Sequence, residues 1–397
     1  MCSGVRGGPK LTKKSEAVRP LRVGLFSECY RPIQNGIVAS LDALADELRA
    51  RGHEVIFVTP SMPGYQESDD DIVRVPSLPL PTRTAYRLTI PLVAPQRLAN
   101  LSIVHTHSPF VTGWMGLRLA RRQGIPLVFT YHTQLEEYAH YVPFDPRAAR
   151  SAASQLTRSY ANAADLVVVP TAAMHTRLRA LGVRSRIEIV PSGIDVRFFA
   201  GGRRSEALRA RLGVPPEGKM LLSVGRLGRE KNVELALDAF ARLPDPLVRL
   251  VIVGDGVHRE ALERKAARSG VAGRTTFARE FARDALPDAY ASADAFVFTS
   301  LSETQGLVLV EALAAGLPIV AVDTPQTRDV LGGAGTVVPA TATGLAAALA
   351  RVLAVGPQAA QISPIALRFD GPRLAGSMLD LYADLLGNRR VPAGVPA

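Results

Sequence analysis

Short apolar runs alternate with amphipathic stretches along most of the chain. Residues 21–27 form an apolar run of strand length. In residues 37–50, Leu41, Leu44, Ala45 and Leu48 recur at the three- and four-residue spacing of one helix face. Residues 54–59, 102–106, 126–131 and 166–170 are further apolar runs with helical stretches between them. The second half repeats the scheme. Residues 220–225 and 249–253 read as strands around a helix over 234–241. Residues 295–299 and 319–322 read as strands around a helix that opens near Gly306 or Leu307. Buried strands alternating with helices predict mostly parallel sheets covered on both faces. The fold class is therefore α/β, with two doubly wound, Rossmann-like units.

A turn-rich stretch over 191–199 separates the two series. The expected domains are 20–193 and 194–370, with a cleft between them that the carboxyl ends of the strands face. Residues 1–19 are basic and lack an apolar segment, so they read as a flexible extension rather than a secretion signal. A final helical pattern over 376–386 fits either domain; residues 371–397 are expected to pack back on the first. Residues 62–100 break the alternation. They are Pro-rich, carry Arg74, Arg83, Arg87 and Arg97, and read as a long connection, either a binding segment or a plain surface link.

Composition narrows the function. The 397 residues are 47% hydrophobic, enough for two cores. No run of eighteen apolar residues exists, so no membrane-spanning helix is expected. Two cysteines, Cys2 and Cys29, make a disulfide framework unexpected and the cytoplasm the default compartment. The net charge of +11 is uneven. Residues 1–190 hold 23 Lys and Arg against 15 Asp and Glu, whereas residues 191–397 hold 24 against 21. A basic first half fits an anionic membrane, a nucleic acid or mere solubility. No basic helix with interleaved aromatics and no zinc spacing is present, so nucleic acid is not an expected partner.

Residues 300–318 carry the most chemistry. Glu303 and Glu311 are separated by seven residues, and Gly306 lies between them where strand gives way to helix. Free N–H groups at a helix start bind phosphate oxygens, and carboxylates accept hydrogen bonds from sugar hydroxyls. The segment thus reads as a site for a phosphate-bearing sugar. Arg226 and Lys231 follow the first strand of the second half and are suited to neutralise a diphosphate. Asn35 and Gly36 follow the first strand of the chain, without a G-x-G-x-x-G fingerprint; the loop is either a close backbone approach to a ligand or a bare turn. Gly254-Asp255 ends another strand and either borders a nucleoside or only turns. Of the histidines at strand ends, His105 reads as structural and His132 as facing the cleft; His105-x-His107 is poor metal spacing. Residues 213–219 match a P-loop, but Met220 replaces the Ser or Thr and a strand follows instead of a helix. Asp69-Asp70-Asp71 sits in a polar loop and reads as a solvated turn.

Together, Glu303-x7-Glu311, Arg226 with Lys231, the Asn35-Gly36 loop and Tyr131-His132-Thr133 resemble the retaining family 4 glycosyltransferases of the GT-B fold, from about Leu21 to Leu386. Gln305 between the carboxylates, residues 76–81 with Tyr86-Arg87-Leu88, and the run from Thr130 through Glu137, Tyr138 and Tyr141 look like the 1,2-diacylglycerol 3-glucosyltransferase branch. The resemblance implies roles for single residues. Glu311 would hold the ribose hydroxyls and Glu303 the donor sugar. The N–H groups of Gln305, Gly306, Leu307 and Val308 would bind sugar and phosphate. Arg226 and Lys231 would stabilise the leaving diphosphate, Asn35 and Gly36 would close on it, and His132 would lie near the reacting centre. Gly254, Asp255, Arg279 and Glu280 would border the base, with Arg279 standing where relatives usually carry Gly. Arg83, Arg87 and Tyr138 would meet the acceptor. No cofactor or metal is implied. The implied partners are a nucleotide-sugar donor such as UDP-glucose, a lipid acceptor and an anionic membrane surface, with the protein at the inner face of the cell membrane. A different acceptor (a phosphoinositide, a small sugar or a glycan), a UDP-sugar 2-epimerase-like isomerase and a silent sugar-nucleotide sensor are the alternatives.

Overall fold

The computed structural model describes residues 20–67, 69–79, 87–141, 145–355 and 362–388. The strands in chain order are β1 Arg22–Phe26, β2 Glu54–Pro60, β3 Ile72–Val75, β4 Ser77–Pro79, β5 Arg87–Thr89, β6 Ile103–Thr106, β7 Leu127–Thr130, β8 Leu166–Val169 and β9 Arg186–Ile189 in the first half. The second half holds β10 Met220–Val224, β11 Arg249–Val253, β12 Thr275–Phe277, β13 Ala295–Phe298, β14 Ile319–Val322 and β15 Thr336–Val338. Two parallel sheets result. The first runs β3-β2-β1-β6-β7-β8-β9 and the second β12-β11-β10-β13-β14-β15. β4 and β5 form a small antiparallel hairpin. The apolar runs are buried on both faces of each sheet: every residue of β6, β7, β8, β13 and β14 is buried. Each sheet separates two apolar cores.

The strand order matters for function. In the first sheet β1 pairs with both β2 and β6, so the winding reverses between β1 and β6. In the second it reverses between β10 and β13. Ligands of open α/β sheets bind at the carboxyl ends beside such reversals. The loops that begin at Ser27, His107, Gly225 and Thr299 all lie there.

The chain crosses between domains at two adjacent points. Ile194 N donates to Phe369 O at 2.9 Å and Gly371 N donates to Ile194 O at 3.0 Å. A Cβ on Gly193 would stand 2.8 Å from the Gly371 Cα, so the crossing requires glycine. The helix Gly371–Asn388 then packs Leu374, Met378, Tyr382 and Leu385 into the core of the first domain, with Leu41, Ala45 and Leu48 of the helix Gly36–Ala50. Residues 62–100 are more than a connection: Ile72–Val75 pairs in parallel with β2 and closes that edge of the sheet.

Candidate active site

The loop after β13 and the helix Leu307–Ala314 form the floor of the cleft. Gly306 caps the helix with φ 83°, in the left-handed region, and a Cβ there would stand 3.2 Å from the Phe298 ring. Glycine is therefore the residue that lets the chain turn from strand into helix at this point. Opposite it, Asn35 caps the helix Gly36–Ala50 by accepting from Val38 N at 2.9 Å. A Cβ on Gly36 would stand 3.5 Å from Leu307 Cδ1, so two helix starts, one from each domain, face each other.

Glu303 and Lys231 form an ion pair at 2.5 Å within the cleft. Burial alone would raise the Glu303 carboxyl, but the Lys231 ammonium, together with the Ser300 hydroxyl and Arg226, holds the group below its usual 4.5. Burial likewise opposes charge on Lys231, and Glu303, with Tyr138 and Glu230, overrides it, so the ammonium titrates above its usual 10.5. Both therefore stay charged across the neutral range. Glu311 differs: burial pushes its carboxyl above 4.5, opposed by the Tyr290 hydroxyl and by Arg283. Tyr290, buried in the core, donates to Glu311 Oε2 at 2.6 Å. That bond fixes one oxygen and leaves the other to the cleft. A carboxyl held above its ordinary value protonates earlier on acidification. With Glu311 in the ribose role that the resemblance implies, nucleotide affinity is expected to fall on acidification at a pH above 4.5. In Tyr290→Phe, which lacks the opposing hydroxyl, the fall is expected at still higher pH. Calorimetric titration of UDP across pH checks both, and a pH-independent affinity from neutrality down to 4.5 contradicts them.

Arg226 reaches across the interface. It pairs with Glu230 and donates to the Tyr138 hydroxyl at 3.2 Å, and its guanidinium stands 5.6 Å over the Tyr138 ring. Tyr141 donates to Glu230 Oε2 at 2.8 Å. The first domain also holds the Glu303 loop by its backbone. Gln134 Nε2 donates to Glu303 O at 2.8 Å, Thr171 Oγ1 to Thr304 O at 2.9 Å, and Thr304 Oγ1 to His132 O at 2.9 Å. The Gln305 amide accepts from Ser192 N at 2.7 Å and donates to Ser192 O at 3.0 Å. Its side chain thus serves the crossing between domains.

The cleft has a volume of about 1580 Å³, larger than one drug-sized ligand needs. His132, Arg226, Lys231, Glu303, Asn35, Gly36, Gly254, Asp255, Glu280, Gln305, Gly306, Leu307, Val308, Glu311, Arg87 and Tyr138 all line it. Arg279 does not. Its side chain is 74% exposed and pairs with Asp255 at 3.3 Å, while its backbone, at φ 57°, bonds to Gly254. Arg83 and Tyr86 lie outside the described residues. Arg87 donates to Ser77 Oγ at 2.7 Å and Ser77 O at 3.1 Å, so two of its donors brace the β4–β5 hairpin. Tyr138 meets Arg226 of the other domain, a contact the acceptor assignment did not foresee. Sequence reasoning also assigned no role to Tyr290, Glu230, Gln134, Ser192 and Glu28. Buried Glu28 accepts from Thr89 Oγ1 at 2.9 Å and from Thr112 N at 3.0 Å, tying the hairpin to the helix Val111–Gln123. Among the described residues no group of three or more His, Cys, Asp or Glu is arranged to hold a metal ion.

Comparison with known proteins agrees with this geometry. The family model described as Glycosyltransferase Family 4 matches residues 34–198, and that described as Glycosyl transferases group 1 matches residues 204–368. An alpha-monoglucosyldiacylglycerol synthase of Acholeplasma laidlawii is 34% identical over 319 residues, covering 76% of this chain and 80% of that protein. A GDP-mannose-dependent alpha-mannosyltransferase of Mycobacterium tuberculosis is 34% identical over 323 residues, covering 78% and 81%. Among solved structures, the sucrose-phosphate synthase of Thermosynechococcus elongatus superposes with a TM-score of 0.74 at 22% identity over 93% of this chain and 100% of its own, a likeness of fold. The chain belongs to the family 4 glycosyltransferases and has their two-domain GT-B fold, with a likeness to the monoglucosyldiacylglycerol synthases among them.

Proposed function

We propose that the protein is a retaining transferase that moves a hexose, glucose first, from a nucleotide diphosphate donor to the hydroxyl of a diacylglycerol-like lipid at the inner membrane face. The second domain binds the donor. Glu311 takes the ribose, Glu303 the sugar hydroxyls, and Arg226, Lys231 and the first N–H groups of the helix Leu307–Ala314 the diphosphate. The bond from the anomeric carbon to the phosphate oxygen breaks with its electrons leaving on that oxygen. The lipid hydroxyl attacks the same face and passes its proton to the departing phosphate. Glu303, held in its ion pair, orients the sugar and forms no covalent bond to it, in contrast to the nucleophile of a retaining glycosidase. Rate then comes from positioning and from fixed positive charge at the diphosphate, which replaces a metal ion.

The observation that carries the lipid acceptor is the rim of the cleft on the first domain. Leu78 and Leu88 face one another on the hairpin and are 52% and 48% exposed; Leu92, Phe110 and Trp114 of the same domain are exposed as well. Leu88 and Phe110 also line the cleft, so the apolar rim continues inward. On the helix Val111–Gln123, Arg118, Arg121 and Arg122 continue the exposed face that begins with Trp114. Apolar groups beside basic ones suit an anionic bilayer that holds the acceptor. Among the described residues no helix is long and apolar enough to cross a membrane. Trp114 is the single tryptophan of the chain, so its fluorescence reports this face alone. Vesicles rich in phosphatidylglycerol are expected to shift its emission to the blue, less so at high salt. An unchanged spectrum sinks the docking.

One specific observation favours a second reading. The mannosyltransferase relative is as identical as the glucosyl one and takes a guanosine donor by its name. Calorimetry with UDP and with GDP separates the two.

A further inference from the structure

His107 and His132 share one hydrogen bond. Their rings lie within 23° of parallel with centroids 5.1 Å apart, and His107 Nδ1 stands 2.8 Å from His132 Nε2. That separation at so small an angle is what an in-plane bond between two imidazoles gives. One of the two nitrogens then carries a proton and the other is bare. Burial keeps both rings neutral: it pulls His132 down to about 4 and His107 well below 6.5, where repulsion from His105 and His132 adds to it.

Two arrangements satisfy the bond. In one, His107 donates from Nδ1 and has a bare Nε2; His132 accepts at Nε2 and carries its proton on Nδ1. In the other, His132 donates from Nε2 and has a bare Nδ1, while His107 carries its proton on Nε2. The environment of His107 Nε2 chooses between them. It is buried and has no hydrogen-bond partner among the described residues. The first arrangement leaves an unused acceptor there. The second leaves an N–H with nothing to receive it, and orphaned buried N–H groups are the rarer defect in folded proteins. The neighbouring ring adds rigidity without altering the choice. His105 stands 4.3 Å from His107 between centroids, and its two nitrogens meet the hydroxyls of Tyr382 and Thr130, each at 2.7 Å, which serve as donor or acceptor.

We infer that His107 is a positioning residue that fixes His132 as its Nδ1–H tautomer, so that His132 offers the cleft a hydrogen-bond donor and not a base. With Nε2 engaged by His107, Nδ1 is the ring nitrogen left to a ligand, and His132 lines the cleft. A donor there suits a sugar hydroxyl oxygen or a phosphate oxygen. That ligand rests on the proposed transfer; the tautomer does not. It also fits a reaction whose proton goes to the leaving phosphate.

Nitrogen NMR of the ligand-free protein, labelled with ¹⁵N-histidine, decides the matter without any turnover. Loss of a signal set in His132→Asn assigns the ring. Long-range proton–nitrogen correlations at neutral pH are expected to show a protonated Nδ1 and a bare Nε2 at His132. In His107→Leu, with the donor gone, His132 is expected to revert to the Nε2–H form common in free imidazole side chains. In His107→Asn, whose amide N–H occupies the place of Nδ1, the Nδ1–H form is expected to return. A wild-type His132 protonated on Nε2 overturns the inference, even where a variant fails to fold. So does an unchanged tautomer in folded His107→Leu.

Discussion

Replacing Lys231 by alanine is expected to lower turnover by about 10²- to 10³-fold, the usual cost of removing a charge-stabilising donor from a transition state. Arg226→Ala is expected to fall in the same range. Charge grows on the diphosphate as the sugar leaves, so the loss should appear in kcat more than in KM. The two variants differ in what they leave behind. Lys231→Ala leaves the Glu303 side chain, only 18% exposed, without its counter-ion. Burial then dominates, the carboxyl rises, and the variant should lose stability as well. Arg226→Ala strips the counter-ion from Glu230, whose side chain is 2% exposed but keeps the Tyr141 hydroxyl, so this variant too should lose stability. Steady-state rates beside thermal unfolding curves separate the effects. Near-normal turnover in both variants refutes the assignment.

The second large effect lies at the opposite end of the second sheet. Arg209 is fully buried and donates to Asp294 Oδ2 at 3.0 Å, to Ser292 O at 2.7 Å and to Gly218 O at 2.6 Å. Asp294 also accepts from Met220 N at 2.6 Å and from Arg204 at 3.1 Å. The carboxylate thus joins the amino ends of β10 and β13 to the helix Glu206–Arg211. Asp294→Ala leaves a buried guanidinium with two backbone carbonyls and, as its counter-ion, the exposed Glu206 carboxylate at 3.3 Å, and about 3–5 kcal/mol of stability should go with it. Denaturant unfolding measures the loss, and a change under about 1 kcal/mol contradicts the reading. Because the cleft lies at the carboxyl ends of the strands, nucleotide affinity of the folded variant should stay near wild type.

Much of this architecture is legible in the sequence, for a physical reason. Strands buried on both faces are mostly apolar, and the central strands of both sheets are: β13 and β14 throughout, β6 and β7 up to His105, Thr106 and Thr130 at their carboxyl ends. Edge strands escape notice. β3, β12 and β15 are three or four residues long and pair on one side alone, so nothing requires a longer apolar run. The helix Gly371–Asn388 shows its apolar stripe plainly, but a stripe does not name the core it enters. In the site, Glu303, Glu311, Arg226 and Lys231 are visible because strand ends and helix starts are local features. Their partners are not. Tyr290 reads as one more core aromatic until its hydroxyl is seen on Glu311, and the pairing of Gln305 with Ser192 spans 113 positions of chain. Arg279 shows the converse: a residue placed by motif alone, whose side chain turns to solvent.

The central claim is glycosyl transfer to a membrane lipid. The direct measurement incubates the protein with radiolabelled UDP-glucose or GDP-mannose and vesicles containing diacylglycerol, with a chelator present. The lipid fraction is then separated, and the anomeric configuration of any product is read from its proton couplings. Label from UDP-glucose in a glucosyldiacylglycerol with the α configuration of the donor is the predicted result. Label found only in free sugar or a water-soluble product, or a β-linked lipid, would contradict the account.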